Sequence, residues 1–140
     1  MPDEITARCT AIEECYEFML AYAGQGLSGG EGSASSGQVR DHLNRAVEAL
    51  TGLTQAYAAA VKRENLQPAG PYQSFFAVLE NDVRDSLAVI RLVLAQSTLS
   101  SQLIDNLNAS IHLRALLTDL FLIDEILKPQ QIPMKPMATG

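Results

Sequence analysis

Strand signals are missing from this chain. No segment alternates apolar with polar residues over its length, and the β-branched residues are scattered, so the fold class left is all-α. Cations are scarce too. Lys and Arg number 10 against 16 Asp and Glu, a net charge of -6 with a pI near 4.8, and nothing supplies the basic patch that phosphates need. Nucleic acid is therefore not an expected partner. Cysteine is limited to Cys9 and Cys15, too few for a disulfide framework. Six residues apart on a helix, they project about 120° from one another and should not bond. Met1-Pro-Asp-Glu-Ile-Thr has neither the basic nor the apolar region of a secretory signal, which gives a cytoplasmic expectation. Asp119, Asp124 and Glu125 break the longest oily run before it reaches the roughly 20 residues that span a bilayer, so no membrane span is expected.

What is present is a chain built to fold. Its hydrophobic content of 47% and charged content of 19% suit a globular protein, and 140 residues suffice for one ordinary core. Punctuation divides residues 1–128 into four helical segments of a single domain, followed by an extended or disordered tail over 129–140. The first helix, about 2–23, carries Ile5, Cys9, Ile12, Tyr16, Met19, Leu20 and Ala23 at steps of three and four. A flexible Gly/Ser-rich loop over 24–37 leads to a second helix, about 36–65, opened by a capping-box pattern at Ser35 and weakened by Gly52. A third helix, about 71–96, is expected to start at Pro71, and a fourth, about 99–128, to be capped among Ser97–Ser101 and stopped by Pro129. Short connections make the expected architecture an up-down-up-down antiparallel four-helix bundle.

The fourth segment is the most informative. On a helical wheel Leu116, Leu120, Ile123 and Leu127 share one face, while Phe121, Leu122 and Ile126 spread to others. A helix apolar on most sides must be covered on most sides. The expectation is dimerisation through this helix, with Leu116, Leu120, Phe121, Ile123 and Leu127 at the interface.

Several sequence patterns suggest chemistry, and each meets a simpler reading. Gly24-Gln-Gly-Leu-Ser-Gly29 matches a dinucleotide-binding fingerprint but follows a helix where the motif requires a strand. No Glu-x-x-His pair exists for a di-iron site, since Val39 and Ala109 precede His42 and His112 by three, and no Cys-x-x-Cys-His exists for haem. Cys9, Glu13 and His42 could assemble a zinc site, although a free cysteine is more often a small core residue. The expectation is no metal and no cofactor. Asp41-His-Leu-Asn-Arg45 loosely resembles the phosphoacceptor helix of histidine phosphotransfer proteins, a reading that requires an exposed His42. Arg114 interrupts its own apolar stripe, and a fold-back near Ser97-Thr98 sets it opposite Asp82, so a structural Asp82–Arg114 ion pair is expected.

No residue is nominated as catalytic. The reading that follows is a non-catalytic homodimer acting by protein contact as an adaptor, chaperone-like or regulatory factor, with Tyr72, Phe75, Phe76 and the region of Phe121 as anchors. The alternative is a small-molecule-binding bundle or enzyme with a site between the helices near Cys9, Tyr16, Tyr57 and Arg114.

Overall fold

The computed structural model describes residues 2–25 and 34–131, with side chains over 4–25 and 37–128. The expected loop is therefore described only at its two ends, and the tail beyond residue 131 lies outside the described residues. Every regular element among them is a helix: α1 Pro2–Ala23, α2 Ala34–Leu50, α3 Leu53–Arg63, α4 Ala69–Leu94, α5 Ser101–Asn108 and α6 Ile111–Gln131. None is long and apolar enough to cross a membrane.

Two of the four expected rods are broken. The second divides at Thr51-Gly52 because Gly52 adopts a left-handed φ of 85°, which glycine accepts at little cost. Thr51 Oγ1 also donates to Val47 O at 2.7 Å, and the Arg8 guanidinium reaches from α1 to Ala49 O and Thr51 O, each at 2.7 Å. Arg8 thus satisfies carbonyls that a helix end leaves without partners. Arg40 does the same for α4, donating to Leu94 O at 2.9 Å and Gln96 O at 2.6 Å.

The fourth expected rod divides at Ala109-Ser110. Ser100 Oγ caps α5 by accepting from Leu103 N at 3.1 Å, and Ser110 Oγ accepts from His112 N at 3.2 Å to open α6. Two further boundaries depart from expectation. α4 begins at Ala69, ahead of Pro71, and α6 runs through Pro129 to Gln131. Proline in a last turn forfeits one amide donor, but its φ remains compatible with a helix.

α1 packs on α2, α3 and α5, while α4 packs on α2, α3, α5 and α6. Ile12, Met19, Leu43, Leu50, Leu79 and Leu116 are among the side chains that fill the shared core. Two bonds tie the end of α1 to the start of α5. Fully buried Tyr22 donates its hydroxyl proton to Leu99 O, and Ser101 Oγ donates to Tyr22 O at 2.7 Å. The broken second rod depends on Gly52, where an added Cβ would sit 3.5 Å from the Arg8 guanidinium and impose left-handed strain. Gly52→Ala is therefore expected to lower the unfolding free energy by roughly 1–3 kcal/mol, read from the urea midpoint.

Candidate functional site

α6 has two differently occupied sides. Leu113, Leu116, Leu120, Ile123 and Leu127 are buried in the chain's own core. This corrects the expected interface set: Leu116, Leu120, Ile123 and Leu127 are consumed by packing within one chain, and of the five only Phe121 is exposed. The uncovered apolar side chains of the helix are Ile111, Phe121, Leu122 and Ile126, at 73%, 60%, 51% and 42% exposure. The sequence places Leu122 and Ile126 off the main stripe, but which stripe faces inward depends on where α4 lies.

Between α4 and α6 runs an apolar groove of about 220 Å³, lined by Pro68, Pro71, Tyr72, Phe75, Leu122, Ile123 and Ile126. Pro68 precedes α4 and Pro71 sits in its first turn, and both present ring carbons where the helix approaches α6. Of the expected aromatic anchors, Tyr72 and Phe75 line this groove. Phe76 is buried, and Phe121, next in sequence to Leu122, is not part of the lining. Such a surface offers shape and apolar area, and almost no hydrogen-bonding groups.

Where α1, α3 and α6 meet, three polar side chains form a chain of hydrogen bonds. Tyr57 Oη donates to Asp124 Oδ1 at 2.6 Å. Since a phenol has one proton, the 3.2 Å contact with Cys9 Sγ has the thiol donating to Tyr57. Burial pushes the Cys9 thiol up to about 11, and burial foremost holds Tyr57 far above the usual phenol range. Asp124 is raised by burial, an effect opposed by the hydrogen bond from Tyr57. The thiol is thus kept protonated and unreactive at neutral pH. Cys15 is likewise free, buried and raised by burial to about 12.

The expected Asp82–Arg114 pair does not form. Arg114 is exposed and makes no ion pair among the described residues, whereas Asp82 lies beside Asp119. Inserting α5 and breaking the helix at Ala109-Ser110 shifts the α4–α6 register, bringing a residue further along α6 opposite Asp82. Two carboxylates cannot both be acceptors in one bond, and Asp119 Oδ2 is buried without a donor. A proton held between them would resolve both problems. Burial, followed by the hydrogen bond to Asp82 and its charge, lifts Asp119 from 3.8 to about 7.

The remaining sequence candidates are separated. His42 is half-buried and stacked on Phe18 with ring centroids 4.4 Å apart, so it lacks the open exposure that phosphotransfer requires. Burial lowers its pKa. Cys9 turns to Tyr57 and His42 to Phe18, leaving the zinc combination unassembled, and no cluster of three or more metal-ligating side chains stands among the described residues. Cys9 and Tyr57 touch, but Tyr16 lines an apolar void of only about 20 Å³ and Arg114 faces outward. The four residues of the ligand-site alternative therefore do not converge. No family model, curated protein or solved structure matches the chain.

Two measurements address these polar groups. Tyr57→Phe leaves Asp124 half-buried without its donor and is expected to cost about 1–3 kcal/mol of stability in urea unfolding. For Asp119, the folded-state pKa lies above the unfolded one, so its stabilising contribution is complete below about pH 4 and is lost as pH rises through about 7. Asp119→Asn should therefore be more stable than wild type at pH 8, with the advantage shrinking toward pH 4. An advantage that did not change across that window would rule out the shared proton.

Proposed function

We propose that this protein is a non-catalytic interaction module, an adaptor or chaperone-like bundle of four rods, two of them broken, that acts as a homodimer through the outer side of α6. One observation carries the reading. After the core is filled, α6 still exposes Ile111, Phe121, Leu122 and Ile126, and Tyr72 and Phe75 extend this apolar surface along the groove. Contiguous uncovered apolar surface on a soluble chain is the usual mark of a contact site. The groove supports a second role for the same face, holding the apolar side of a helical segment from a partner protein, in the manner of helix-in-groove recognition.

A ligand-binding or enzymatic reading has less to rest on, since the polar network around Tyr57 is satisfied internally and the void beside Tyr16 cannot hold a substrate. The test is molar mass by light scattering over a range of concentrations. Wild type is expected to be dimeric, and Phe121→Glu to be monomeric with unchanged helical circular dichroism. Leu120→Glu, which buries a charge in the core, should instead lose folded structure. A wild type that stays monomeric at high concentration would reject the dimer.

A further inference from the structure

We infer that the second copy lies antiparallel along α6, with Arg114 of each chain paired to Glu125 of the other. This inference rests on the proposed dimer and adds its orientation and register. The outward residues Ile111, Arg114, Thr118, Phe121, Glu125 and Lys128 are spaced by alternating steps of three and four and form one stripe, apolar at Ile111 and Phe121 and charged between and beyond them. All six are exposed. Arg114 and Glu125 lie within about 20° of each other around the helix, three turns apart.

The order of this stripe reads sensibly only when reversed. Arg114 and Glu125 are equidistant from its centre, which falls between Thr118 and Phe121. Two antiparallel copies crossing there set each Arg114 level with a Glu125, each Phe121 beside a Thr118, and the aliphatic stem of each Lys128 over an Ile111. A parallel pair would set Arg114 against Arg114 and Glu125 against Glu125, two like-charge contacts at the seam. Within its own chain Arg114 has no ion pair among the described residues, and the Glu125 carboxylate is paired at 3.5 Å with Lys128 at an exposed site, where a facing Arg114 can join it.

A two-fold axis across antiparallel helices carries each flank of one helix onto the same side of the assembly as its copy. The groove beside Leu122 and Ile126 would then open on one common face in both chains.

Charge reversal tests the register. Arg114→Glu, Glu125→Arg and the double exchange are compared with wild type by sedimentation equilibrium at low salt, with circular dichroism checking the fold. Each single exchange should weaken the dimer about tenfold, because two attractive contacts become repulsive, and the double exchange should return it to within about twofold of wild type. A dimeric wild type whose single exchanges have no effect, or whose double exchange fails to recover, would overturn the antiparallel register alone. A monomeric wild type would overturn the dimer and this register with it.

Discussion

A helix that is apolar around most of its circumference must be covered on more than one side, and α6 sets this requirement for the whole molecule. The core covers the side carrying Leu113, Leu116, Leu120, Ile123 and Leu127. α4 flanks a second side, but only in part, because the Pro68 and Pro71 rings and the Tyr72 and Phe75 side chains hold open a groove where the two helices approach. The rest of the helix is bare. The functional reading follows from this remainder more than from any polar group.

Around that helix, the chain handles polar groups by local satisfaction. Arg8 and Arg40 each leave their own helix to bind the carbonyl end of another, so two of the ten cations serve as caps. Those caps make the helix ends near Thr51 and Leu94 compatible with close packing, since a helix terminus that lost water without gaining donors would be costly. The acids nearest the core are treated differently. Asp124 accepts a hydrogen bond from the Tyr57 hydroxyl, and burial beside Asp82 raises the Asp119 carboxyl well above the usual carboxylate range. A chain carrying six more acids than bases thus brings carboxyl groups to the edge of its core, one with a donor and one raised by burial beside another acid.

The helical class was legible because the signal is local: steps of three and four recur in every long segment, and nothing alternates. The breaks were less legible. Gly52 was visible as a weak point, but the Arg8 guanidinium that satisfies the carbonyls at this helix end lies more than forty residues away. Ser110 is a competent cap, yet the helical pattern continues through it, so propensity alone could not say that the rod divides there. The Asp82–Arg114 expectation failed for the same reason. It assumed an unbroken hairpin, and the α5 insertion altered which turn of α6 meets Asp82. Nothing in the residues around Asp124 names a donor for it, and only packing brings Tyr57 to it.

By itself, the sequence determined that the protein is helical and that its last helix carries more apolar surface than one face can bury. These properties belong to composition and to periodicity along one axis. The tertiary structure decided which apolar stripe turns inward, that Leu116, Leu120, Ile123 and Leu127 join the core, and that Leu122 and Ile126 border a groove with Tyr72 and Phe75. A helical wheel gives the angles between side chains. The zero of that wheel is set by the neighbouring helices, and their positions depend on contacts between residues distant in the chain.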